Sequence, residues 1–63
     1  MRRIGRYVKA REWIVFSVDG KDVCEYLKAD TDPEEVVTAC VWLAEKYAVP
    51  LHGVQVREER RVT

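Results

Sequence analysis

Apolar and polar positions alternate along "REWIVFSV" (residues 11–18). Ile14, Phe16 and Val18 fall on one parity, Trp13 and Val15 on the other. The run is rich in β-branched and aromatic residues, so it reads as a strand. Asp19-Gly20 follows, a strong tight-turn signal, and alternation resumes over "DVCEYLKA". The two runs form a hairpin. Its register stays open, because several loop lengths fit and a slip of one residue exchanges the faces of the second strand. Upstream, "RRIGRYVKA" also alternates, with Ile4 and Val8 opposite Tyr7. It reads as a strand leading into the hairpin, or as the first half of one long bent strand.

The period then changes. In "ADTDPEEVVTACVWLAEKYAVP" apolar residues recur at helical spacing. Asp32 is placed to cap a helix with Pro33 at its first position. Asp32 with Glu35, and Thr31 with Glu34, offer two overlapping capping boxes, and both glutamates suit the positive end of the helix dipole. The helix is expected from about Pro33 to Ala48, ended by Pro50, which disfavours helix at Val49. "GVQVREERRV" reads as the last strand, with Val54 and Val56 alternating with Gln55 and Arg57. Beyond Arg57 both faces turn charged, so this strand is expected to run past the core. Glu58 and Glu59 would meet Arg2, Arg3 or Arg6 if the terminal strands are neighbours.

The order is β-β-β-α-β or β-β-α-β within a single domain, residues 1–63. A right-handed strand–helix–strand crossover lays one helix on one face of the sheet. The expected fold is a two-layer α+β domain, one helix on a three- or four-stranded antiparallel or mixed sheet.

One helix covers one face, and that leaves aromatics over. On a helical projection Val36, Val37, Ala39, Cys40, Leu43, Ala44 and Tyr47 cluster toward the sheet. Trp42 falls with the polar side and Val41 on its border. On the sheet, the more apolar set of Ile14, Phe16 and Val18 is expected beneath the helix. Trp13 and Tyr7, with Tyr26 as a further candidate, then lie on the open face. Trp42 and Val41, or Trp13 and Tyr7, are the expected anchors for a protein partner, since tryptophan is enriched at interface hot spots. The ordinary alternative is that Trp42 folds over the helix edge, as single exposed apolar residues commonly do.

Length and composition narrow the chemistry. Sixty-three residues allow only a thin core, and domains this small often lean on a disulfide, a metal or a partner subunit. No apolar run is long enough for a membrane span, and no leader with a cleavage site is evident, so a cytoplasmic protein with reduced thiols is expected. Cys24 and Cys40 read as small buried apolar residues, with a mutual disulfide as the alternative. With His52 as the sole histidine, the ligands for a structural zinc site are lacking. Gly5, Gly20 and Gly53 are isolated and form no phosphate loop. A Cys–His pair of His52 with Cys24 or Cys40 is the remaining catalytic arrangement, and a solvated loop histidine is the simpler reading. The expectation is no enzyme, no cofactor, no metal and no small-molecule substrate.

Net charge is zero but unevenly laid out: +5 over residues 1–11, −6 over 12–35 and +1 over 36–63. Salt bridges between strands are the simplest use of that segregation. The alternative is a single-stranded RNA or DNA interface, with bases stacking on Tyr7 and Trp13 and with Arg2, Arg3, Arg6, Lys9, Arg11 and Arg57 following the phosphates. The near-neutral pI of 6.6 argues against it.

From Trp13 onward, "EWIVF", "ADTDPE" (with Ala29, Thr31 and Glu34) and "VQVR" resemble the small RNA polymerase inhibitors of podophages. That family has a strand pair, an Ala-acid-Thr-x-x-Glu helix start, a helix and a last strand with Val and Arg. The resemblance implies a protein that binds and blocks a host enzyme. The helix here is longer than the family's, and no functional residue carries over. Redundant capping, an ideal turn and a densely patterned helix also mark designed or redesigned mini-proteins without a natural function, and thermophilic proteins. The reading with most behind it is a small non-enzymatic interaction module, homodimeric or bound to a protein partner.

Overall fold

The computed structural model describes residues 10–62. Strand β1 (Ala10–Val18) leads to β2 (Lys21–Leu27), helix α1 (Pro33–Tyr47) and β3 (Val54–Val62). Single 3-10 turns flank the helix at Lys28–Asp30 and Leu51–Gly53. The sheet order is β2-β1-β3, with both pairings antiparallel. This is the expected two-layer α+β fold in its ββαβ form. The stretch expected as a further strand, with Arg2, Arg3, Arg6, Tyr7 and Lys9, lies outside the described residues.

The hairpin turns on two residues. Asp19 (φ 53°) and Gly20 (φ 80°) are both left-handed, the pair a type I′ turn requires and the reason Asp-Gly suits it. Val18 then pairs with Lys21 and Ser17 with Asp22, but Phe16 pairs with Cys24 rather than Val23. The extra residue is a β-bulge, and it reverses the faces of the rest of β2. Tyr26 therefore lies under the helix, edge-on to Phe16 with ring centroids 5.4 Å apart. This corrects its expected place on the open face.

At the start of α1, Asp32 and Glu35 form the capping box, and the Asp32 N–H donates to Glu35 Oε1 at 2.8 Å. Thr31, the other candidate, turns its hydroxyl back to the Leu27 carbonyl, also 2.8 Å. The helix ends at Ala48, which is left-handed (φ 56°) and donates its N–H to the last-turn carbonyls of Ala44 and Glu45.

The core joins Ile14, Phe16 and Val18 of β1 to Ala39 and Leu43 of α1 and Val54 of β3. Val23, Cys24, Tyr26, Val36, Cys40, Ala44 and Val49 close around it. Val37 and Tyr47 do not face the sheet as expected. Val37 is 62% exposed and Tyr47 is also exposed. The helix meets so narrow a sheet along the line of Val36, Ala39 and Leu43, and Val37 stands about a third of a turn off that line. Tyr47 closes the last turn, where the Lys46 ammonium lies 5.8 Å from its ring.

Because β2 ends opposite Trp13, Ala10–Glu12 and their β3 partners Arg60–Val62 continue as a two-stranded ribbon. Every pairing along β3 is regular to Val62, so the charged half of the last strand remains in the sheet.

Candidate functional site

The bulged register gives each face its residues. Trp13, Val15, Ser17, Glu25, Leu27, Gln55, Arg57, Glu59 and Arg61 share the face turned away from the helix. That face is not bare. Arg57 on β3 reaches across β1 to Asp22 and holds it bidentately, Nη1 to Oδ1 at 2.8 Å and Nη2 to Oδ2 at 2.9 Å. Arg61 donates to Glu25 at 2.6 Å and to Glu59 at 3.0 Å, and its guanidinium lies 5.2 Å from the Trp13 ring centroid. Beneath this lattice Val15 is only 1% exposed. The Arg57 hydrogen bond holds the Asp22 carboxyl below its ordinary value, and the carboxylates raise both guanidinia above theirs. Trp13, an expected anchor, is thus half-buried under Arg61, and Arg57 is committed to a carboxylate rather than free for phosphate.

At the ribbon, Lys28 Nζ lies 3.0 Å from Glu58 and 3.4 Å from Glu12. The Glu58 hydrogen bond is the main cause of the raised Lys28 value. Asp22 and Glu25 of β2 therefore satisfy Arg57 and Arg61 of β3, and Glu58 and Glu59 have partners within the described residues.

Trp42 stands differently. It is 50% exposed and lines an open groove of about 620 Å³ between α1 and the outer edge of β2. Tyr26 and Ala39 form the groove floor beside the indole, and Asp30 and Glu35 flank it with carboxylates. The Lys46 ammonium rests 4.9 Å from the indole centroid. Trp42 projects here because Glu35, Thr38, Ala39 and Trp42 follow i, i+3, i+4, i+7 spacing and so share one flank of the helix. Val41 lies on the other flank with Val37, so the four expected anchors do not form one surface. Trp42 and Val41 flank the helix on separate sides, Trp13 belongs to the opposite layer, and Tyr7 lies outside the described residues. Tyr26 is read from the pattern onto the open face, and no pattern singles out Asp30 as a groove residue.

The reactive side chains are dispersed. Cys24 and Cys40 are free thiols packed against the core, and burial pushes the Cys40 thiol above its ordinary value. The neighbouring Cys24 thiol is the main cause that raises the Tyr26 phenol, with burial and the Glu35 carboxylate adding to it. His52 is exposed in the turn before β3. No group of three or more His, Cys, Asp or Glu placed to hold a metal occurs among the described residues. Nor is any helix among them long and apolar enough to cross a membrane.

No family model, curated protein or solved structure matches this chain.

Proposed function

We propose that this chain is a small non-enzymatic protein-interaction module whose docking site is the Trp42 groove. The observation that carries the reading is a half-exposed tryptophan at the mouth of an apolar groove flanked by the Asp30 and Glu35 carboxylates. Tryptophan supplies a large, rigid contact area, and truncating one at the centre of an interface costs more than almost any other change. The groove volume suits a few side chains rather than a whole domain. Its acidic rim favours a partner segment in which an aliphatic or aromatic residue sits beside Lys or Arg. A module of this kind serves as an adaptor or as an inhibitor of a larger protein. Nucleic-acid binding has weaker support, since Arg57 and Arg61 are engaged by carboxylates and Trp13 is half-buried beside Arg61.

A random-peptide display selection on the immobilised full chain tests the reading. Enriched peptides are expected to pair an apolar residue with a neighbouring base. Trp42→Ala is expected to weaken them by about 30-fold or more, with the circular-dichroism spectrum unchanged. Binders indifferent to Trp42→Ala, or no enrichment over a blank surface, would overturn it.

A further inference from the structure

β3 is an edge strand nine residues long, paired with β1 on one side only among the described residues. Such an edge is a template for another strand, and proteins commonly block it with charge. Charges of one sign repel a second copy of the same strand. On the open face β3 instead carries Gln55, Arg57, Glu59 and Arg61, alternating in sign. That sequence complements itself when reversed.

We propose that two copies of this chain pair antiparallel along β3, about a two-fold axis at Glu58, into one six-stranded sheet of order β2-β1-β3-β3-β1-β2. Three observations select this register. It engages the whole strand and sets Arg57 of each copy against Glu59 of the other, with Gln55 against Arg61. Moving the axis to Arg57 places Arg57 against Arg57. Moving it to Glu59 places Glu59 against Glu59 and Arg57 against Arg61. Like charges directly opposite are destabilising and opposite charges are favourable. The axis at Glu58 also brings Val62, 66% exposed at the ribbon tip, beside Val54 of the second copy, which is buried at the edge of its core. Lastly, among the described residues no helix covers the ribbon of Ala10–Glu12 and Arg60–Val62, and a two-stranded ribbon by itself is marginal in water. Because the strands run oppositely, the second copy continues the sheet alongside it. The one like-charged contact is Glu58 with Glu58, and each carboxylate already has Lys28 at 3.0 Å.

This pairing uses a surface separate from the Trp42 groove and does not rest on the groove's function. Sedimentation equilibrium of the full chain tests it. The unaltered chain is expected to dimerise with concentration. Arg57→Glu and Glu59→Arg are each expected to weaken the dimer by about 10-fold or more, since each sets like charges opposite in two places. An equimolar mixture of the two variants restores opposite charges at both places and is expected to recover association, while Trp42→Ala leaves it unchanged. A chain that stays monomeric at millimolar concentration, a dimer indifferent to both substitutions, or a mixture that fails to recover overturns the proposal. Should either variant lose its circular-dichroism signal, hydrogen exchange on the unaltered chain decides. The outward amides of β3 are protected at high concentration and exposed on dilution if the edges pair. Equal exchange at both concentrations overturns the pairing.

Discussion

Val15 and Phe16 are neighbours on β1, both nearly sealed from solvent (1% and 0% exposed), and they are buried by opposite means. Phe16 lies among hydrocarbon, with Leu43 and Ala39 above it and Tyr26 edge-on beside it. Among the described residues Val15 has no second layer over it. Its cover is the arginine lattice of β3 reaching to the acids of β2. Long basic side chains lay their methylene stems over apolar surface while their heads stay wet. With one α-helix among its described residues, the chain can thus bury both faces of its central strand, one by packing and one by ion-paired stems.

The sharpest way to break this contrast is in the packed layer. Phe16→Ala is expected to cost about 3–5 kcal/mol, enough to unfold most of a domain this small, read by urea denaturation. Val15→Ala removes less hydrocarbon from a site that wet side chains can partly refill. It should cost about 2 kcal/mol by the same measurement. An equal loss at the two positions would mean that the open face is as rigid as the core. The nature of the cover is tested by replacing Arg57. Arg57→Met keeps a stem and should leave the urea midpoint close to that of the parent, whereas Arg57→Ala should lower it. If both fall together, charge rather than the stem shields Val15.

The smallest expected effect is on acid stability. Asp22 titrates below its ordinary value in the folded chain because of Arg57, so its contribution is present above the unfolded carboxyl value near pH 4. That contribution is lost as pH falls through the lower folded value. Arg57→Met should remove that part of the acid dependence, seen as a rise of the Asp22 carboxyl titration by NMR. An unchanged Asp22 titration would mean that the exposed pair is electrostatically idle, as many surface pairs are.

Much of this was legible in the residues. The Asp-Gly turn, the helix from Pro33, the capping box at Asp32 and the packing of Ile14, Phe16 and Val18 under the helix follow from spacing and local chemistry. The side of Tyr26 did not. A two-residue turn followed by regular pairing puts Val23 opposite Phe16 and Tyr26 on the open face. Only the bulge at Val23 reverses this, and no residue type announces a bulge. Segregated charge pointed to bridges between strands, yet their partners, Arg57 with Asp22 and Arg61 with Glu25, span β1, and the bulge alone puts Glu25 on the face of Arg61. Trp42 was flagged by its angle on the helix. The groove beside it was not, because it depends on how the helix stands off β2, a matter of tertiary packing.

Ala48 points to slack in the molecule. An L-residue with a side chain costs about 1–2 kcal/mol in the left-handed conformation this helix end requires, and glycine is the residue that escapes the penalty. Replacing one methyl by hydrogen there offers a cheap gain in a domain with little to spare. Natural drift or an engineer has that margin in reserve, to set against a costlier change on the binding surfaces.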